Sequence, residues 1–144
     1  MRIKAFTLIV AVALVVLAGM STGAQEKGVK TRGMVTSLGG FSAGTSTPLQ
    51  ITGAIVEIEP GGETGRFRHR VPTFLYIVDG ILVTDTQGGP IGVDGVQYHG
   101  EGQSYLDPGN LWQIHKNTSQ QLVKYIKLFI GYPGAQTVER PAAE

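Results

Sequence analysis

The residues best equipped for chemistry are two histidines on short, strand-like stretches. His69 is the fourth residue of the alternating run "RFRHR" at residues 66 to 70, and His115 ends "WQIH". A strand sends successive side chains to opposite faces, so Phe67 and His69 share one face and Arg66, Arg68 and Arg70 the other. By the same parity Gln113 and His115 face together. Two histidines at the 67/69 spacing would supply half a metal site, but Phe67 offers no lone pair. His69 could instead act as a general base, with Tyr105 or Tyr98 as the acid. The structural alternative is that the tyrosines pack and the histidines are satisfied by hydrogen bonds. No nucleophile stands beside a base, and no carboxylate pair has a spacing that sets its geometry. The three arginines allow anion or partner binding. The plainer reading is a solvated outer strip, pairing with Glu57 or Glu59 on an adjacent strand.

The elements that must position these residues are strands. From residue 51 onward the chain reads "ITGAIVEIE", "RFRHRVP", "TFLYIVDG", "ILVTDTQGG", "VQYHGEGQ", "SYLDPGN", "LWQIHKNTS" and "QLVKYIKLFIGY". Each run is of strand length, rich in β-branched and aromatic residues, and closed by Gly, Pro, Asp or Asn. Evenly spaced short strands with 21 glycines and 7 prolines predict an all-β sandwich or barrel. "QLVKYIKLFI" also scores as a short helix, but the company it keeps favours a strand.

The chain has 144 residues, which suits one domain. Residues 1 to 24 carry a basic start (Arg2, Lys4), an apolar run and a small-residue stretch, the three parts of a cleaved secretory signal peptide. The apolar run is shorter than the roughly 20 residues a membrane span needs, so no membrane association is expected after cleavage and the mature protein is placed in the periplasm or outside the cell. Loss of Arg2 and Lys4 leaves ten Lys and Arg against eleven Asp and Glu. A near-neutral chain without a basic stripe is a poor partner for nucleic acid. Cysteine is absent, so stability must come from core burial. Residues 25 to 50 are glycine-rich and polar and predict an extended arm, and 134 to 144 read as a loose polar tail. "GGFSAG" lacks the Gly-Lys-Ser/Thr ending of a phosphate loop. "NTS" at 117 to 119 formally fits a glycosylation sequon.

The segment "PGGETGRFRHRVPTFLYIVDG" resembles the first motif of the cupins, small double-sheet jelly-roll barrels (double-stranded β-helices). Gly61 opens it, Phe67 and His69 occupy the two His places, Thr73 the Glu place, and Gly80 closes it. In the second motif Gly102 opens, Pro108 is in register, Asn110 replaces a Gly, Gln113 replaces the His, and Asn117 closes. The resemblance covers roughly residues 51 to 133 and implies a cupin barrel, with homodimers formed by sheet contact, to which the 25–50 arm could add a strand. It also implies a metal held by the two His and the Glu of the first motif with the His of the second. Of those places only His69 keeps its ligand, and Thr73 and Gln113 are weak donors.

No cofactor is therefore expected. A divalent transition metal would need a shifted set of His69, Gln113 and His115, with Glu63 or Asp107 reaching in from the rim. The leading expectation is a small organic ligand bound in the barrel by Phe67, His69, Thr73, Gln113 and His115, at a mouth lined by Leu75, Ile77 and Trp112 or its neighbours. The alternative is an enzyme of isomerase or dioxygenase type on the shifted metal, or metal-free catalysis by His69.

Overall fold

The computed structural model describes residues 26–35, 40–41, 48–88 and 94–142; the segment at 1–24, expected from the sequence to be a signal peptide, lies outside them. The described residues form strands and no helix. In chain order these are β1 (Lys27–Val35), β2 (Gly40–Phe41), β3 (Leu49–Glu63), β4 (Arg68–His69), β5 (Thr73–Asp79), β6 (Ile81–Gln87), β7 (Gly95–Gly100), β8 (Ser104–Asp107), β9 (Trp112–Lys116), β10 (Val123–Gly131) and β11 (Val138–Glu139). The main sheet runs β7-β6-β9-β3-β10-β5-β8, with β1 and β2 also paired to β3. This is the jelly-roll barrel the sequence predicts, and the ambiguous "QLVKYIKLFI" is strand β10.

Strand β3 ties the two halves of the barrel together. Its first part pairs antiparallel with β10, placing Ile58 opposite Val123 and Ala54 opposite Lys127. Its last residue, Glu63, pairs with Lys116 of β9. The bend between lies at Pro60-Gly61-Gly62. Gly61 adopts φ 69°, where a side chain is strained. At Gly62 a Cβ would stand 2.7 Å from the carbonyl oxygen of Lys27 and 2.9 Å from that of Glu59.

Burial alternates along the strands as a half-buried sheet requires. On β10, Val123, Tyr125, Lys127 and Phe129 face inward; on β5, Thr73, Leu75 and Ile77 do so. The main apolar cluster joins Val56, Ile58, Leu75, Ile77, Leu82, Val123 and Tyr125. Full burial of each aliphatic side chain in it contributes about 1.5–3 kcal/mol. A smaller cluster holds Ala54, Val71 and Phe129. Between Tyr125 of the first and Phe129 of the second lies Lys127, at the level of the buried polar residues.

Two expectations are corrected. The tail is not loose: β11 pairs with β4, setting Val138 opposite His69 and Glu139 opposite Arg68. The arginine strip finds its carboxylate there rather than at Glu57 or Glu59. Glu139 bonds Arg68 at 2.8 Å and Arg70 at 3.2 Å, whereas Glu57 takes Arg32 and Lys124, and Glu59 takes Lys30. The short β4 lies outside the main sheet and pairs with the tail strand β11 instead. The arm, for its part, lays β1 along β3 of the same chain, with Thr31 opposite Val56.

Candidate functional site

The site is assembled by one narrow crossing. Phe67 and Gln113 exchange both backbone hydrogen bonds, 3.0 and 2.8 Å, so their side chains, and those of His69 and His115 two residues on, enter the same interior. Asp107 of β8 stands opposite Thr73 of β5 and joins them. All six side chains are buried. Thr73 is occupied structurally, its hydroxyl donating to the Val71 carbonyl at 3.0 Å.

The polar groups form a hydrogen-bonded chain whose proton positions follow from the chemistry of each partner. Asp107 is its sink: Oδ2 accepts from His69 Nδ1 at 2.5 Å and from Gln113 Nε2, and Oδ1 accepts from the Gly109 amide at 2.7 Å. With its nitrogen turned to Asp107, Gln113 presents Oε1 to His115 Nε2 at 3.0 Å. His115 therefore carries its proton on Nε2, and Nδ1 accepts from the Tyr125 hydroxyl at 2.9 Å. His69 carries its proton on Nδ1, leaving Nε2 to accept from Lys127 Nζ at 3.4 Å. The Lys127 ammonium also stands over the rings of Phe67, 4.7 Å from its centroid, and Tyr125, at 5.7 Å.

Burial sets the charges. Desolvation and the Lys127 ammonium pull His69 down to about 4, against the opposing bond to Asp107. His115 is pushed well below its usual value by burial, then by Lys127, His69 and His99. Burial raises Asp107, but the His69 hydrogen bond, the Gly109 amide and Gln113 outweigh it and hold the carboxyl below its usual value. Burial raises Tyr125 and Tyr105. Lys127 is lowered to about 8 by burial and Arg140, opposed by Glu26 and Asp107. At neutral pH the interior thus holds a carboxylate, two neutral imidazoles and a largely protonated amine.

Beside this chain opens a cavity of about 360 Å³, within the range of about 300–1,000 Å³ for small-molecule sites. Its apolar wall is Val29, Ala54, Val56, Phe67, Phe129 and Val138, and its polar lining is Glu26, Thr31, Thr64, Lys127, Thr137 and Arg140. Strand β1 and the tail therefore wall it, together with β3 and β10. Arg140 bonds Glu26 and the Thr64 carbonyl, and both partners of that ion pair are half-exposed, as befits a rim. Lys127, also in the lining, is only 8% exposed.

Of the five residues expected to bind ligand, Phe67 lines this cavity; His69, Thr73, Gln113 and His115 are buried but are not part of its lining. Asp107 reaches the interior, whereas Glu63 is exposed. Trp112 lies on the outside, under Arg66 and Arg68 at 5.2 and 4.8 Å from its ring. Tyr105 touches His115 Nε2 at 3.3 Å, while Tyr98 is 67% exposed. Asn117 is buried, bonding the Ile58 carbonyl at 2.9 Å and the Ser119 amide at 3.0 Å. Lys127, Arg140 and Glu26 were missed by sequence reasoning. Only Lys127 left a signal, a cation in step with Val123, Tyr125 and Phe129 on the apolar face of β10.

No family model and no curated protein matches the sequence. Solved structures do match in three dimensions. A cupin-2 domain from Rhodospirillum rubrum superposes with TM-score 0.59 at 15% identity, over 83% of this chain and 69% of that one. A cupin-like protein from Thermotoga maritima gives 0.57 at 17% identity, over 83% and 86%. Oxalate decarboxylase from Bacillus subtilis, described for its Mn(II) centres, gives 0.53 at 13% identity, over 67% of this chain and 28% of that one. The chain is a cupin in fold.

The fold family includes metal proteins, so the donor set here matters. Phe67 has no donor atom, the Thr73 hydroxyl is spent on Val71, and all four imidazole nitrogens of His69 and His115 are hydrogen-bonded. An ammonium stands 3.4 Å from His69 Nε2, where a metal would bind. Among the described residues no three of His, Cys, Asp and Glu converge on a metal-sized space. The residues present do not fit the cupin metal, and the shifted set fares no better, because Gln113 and Asp107 are turned toward the histidines as hydrogen-bond partners.

Proposed function

We propose that the protein is an exported binding protein for a small organic molecule, which it holds in the barrel cavity beside Lys127. The observation that carries this reading is the cavity itself: about 360 Å³, mostly apolar, with one buried ammonium in its lining. That is the make-up of a ligand pocket, an apolar wall with few polar groups that orient the guest. Phe67 would contact the ligand. His69, Gln113 and His115 would act from behind, by holding Lys127 in place. The signal-peptide signature of residues 1 to 24 supports export, to the periplasm or outside the cell. A homodimer through sheet contact fits the fold, and the near-neutral charge argues against nucleic acid.

A second reading, metal-free acid–base catalysis, has one observation in its favour: the Lys127–His69–Asp107 chain. The base would then be Lys127 rather than His69, because Lys127 lines the cavity and its amine is lowered toward neutrality.

The test is thermal melting of the protein, expressed from its full sequence and purified without tag or chelator. It is run against a panel of neutral, anionic and cationic small organic molecules, and against Mn, Fe, Ni, Cu and Zn salts with elemental analysis alongside. Members of the organic panel should raise the melt and the metals should not. Near-stoichiometric metal, or a melt raised by one ion and lost in His69→Ala, would overturn the binding reading in favour of a metal enzyme.

A further inference from the structure

Lys127 sits in a situation that the protein alone does not satisfy. An ammonium has three N–H donors, and Lys127 has one conventional acceptor, His69 Nε2, at a long 3.4 Å. Its other neighbours are the faces of Phe67 and Tyr125. Among the described residues no carboxylate lies within ion-pair distance of it. Asp107 is on the far side of the His69 ring, and Glu26 is engaged by Arg140 at the rim. A buried cation without a counter-ion is costly, and burial alone does not explain its retention on a strand face otherwise built of Val, Tyr and Phe. The amine nevertheless borders an open volume large enough for a guest.

We infer that the cavity takes a small monocarboxylate, its carboxylate on the Lys127 ammonium and its carbon skeleton against Phe67, Val56 and Phe129. This rests on the binding reading above and names the chemistry of the ligand. Among the residues that line the cavity, Glu26 and Arg140 neutralise each other, so Lys127 is the one cation left facing the guest, with the Asp107 carboxylate behind the His69 ring. A monoanion balances it, whereas a dianion would be over-charged in a wall this apolar. The carboxylate oxygens would accept the Lys127 protons that now point at rings, in charge-assisted bonds made stronger by the dry surroundings. The wall beyond is aliphatic and aromatic, which favours a hydrocarbon body over a sugar or a polyol.

The experiment is isothermal titration of the full-length protein at pH 7 with hexanoate and phenylacetate. Each is compared with its neutral amide and with the matching primary amine, and the series is repeated on Lys127→Met and Lys127→Arg. The carboxylates should bind at least tenfold more tightly than their amides, and the amines should not bind. Lys127→Met should erase the carboxylate preference while leaving amide binding in place, and Lys127→Arg should restore part of it. Equal affinity for carboxylate and amide in the unmodified protein overturns this inference but leaves a ligand-binding cavity. That comparison stands even if a variant fails to fold. Absence of binding by carboxylates, amides and amines alike, together with no hit in the wider panel, removes the binding reading and this inference with it.

Discussion

At the scale of single residues, the interior is organised by Asp107. Three donors end on its carboxylate: the His69 imidazole, the Gln113 amide and the Gly109 backbone. Removing a buried acceptor leaves each donor with its desolvation uncompensated, which costs more than the bonds themselves contribute. Asp107→Ala should therefore lower stability by about 3 kcal/mol in urea unfolding, and Asp107→Asn, which keeps one acceptor, by clearly less. A loss under about 1 kcal/mol for the alanine variant would mean that water enters and satisfies the donors. Phe67 belongs to the same scale. Where a metal cupin would place a ligand, its ring meets His69 edge-on at 5.1 Å and His115 at 4.9 Å and offers its face to Lys127. At position 67 an aromatic face thus stands where the cupin motif places a lone pair, and the cation it faces is an ammonium.

At the scale of elements, the bend in β3 controls how the arm meets the barrel. Gly61 and Gly62 are adjacent but need glycine for different reasons. Gly61 has φ 69° and open space around it, so an alanine there meets only backbone strain of about 1–2 kcal/mol. Gly62 has no room, because its Cβ would press on the backbone oxygens of Lys27 and Glu59. Gly62→Ala should be the more damaging of the two and should loosen β1. Hydrogen exchange should show β1 amides from Lys27 to Thr31 losing protection in that variant and keeping it in Gly61→Ala. The reverse ranking would contradict the close approach. Since Val29 and Thr31 line the cavity, β1 forms part of its wall as well as of the sheet.

At the scale of the whole molecule, a barrel with neutral buried histidines should be sensitive to acid. His69 is depressed from 6.5 to about 4, and His99 and His115 are depressed as well. In the unfolded chain these imidazoles take up protons near pH 6.5, while in the folded chain they resist. Their contribution is therefore complete above about pH 6.5 and is lost as pH falls toward 4. For His69 alone the difference corresponds to about 3 kcal/mol. Urea melts from pH 8 to pH 4 should show stability falling steeply below pH 6.5. His115→Gln should flatten that slope by about one proton. A flat profile across this window would mean that the histidines are not buried neutral.

Alternation and turn residues, read along the chain, were enough for a β-barrel, and the spacing from Gly61 to Gly80 and from Gly102 to Asn117 was enough for the cupin fold. Parity alone brought Phe67 and His69 to one face, and Gln113 and His115 to one face, because the two-residue period of a strand is local geometry. Parity does not say which face is inside. Lys127 was legible as a partner of Val123 and Tyr125, but an inward ammonium goes against hydropathy and only packing revealed it. Neither could the chain alone foretell that Glu139 closes on Arg68, 71 positions away, or that Glu26 and Arg140 meet 114 positions apart at one rim. Local sequence determined the strands and the parity of their side chains, because backbone sterics and burial act residue by residue. The cavity, its ammonium and its rim were decided by tertiary structure, because each is made by segments that meet only when the barrel closes.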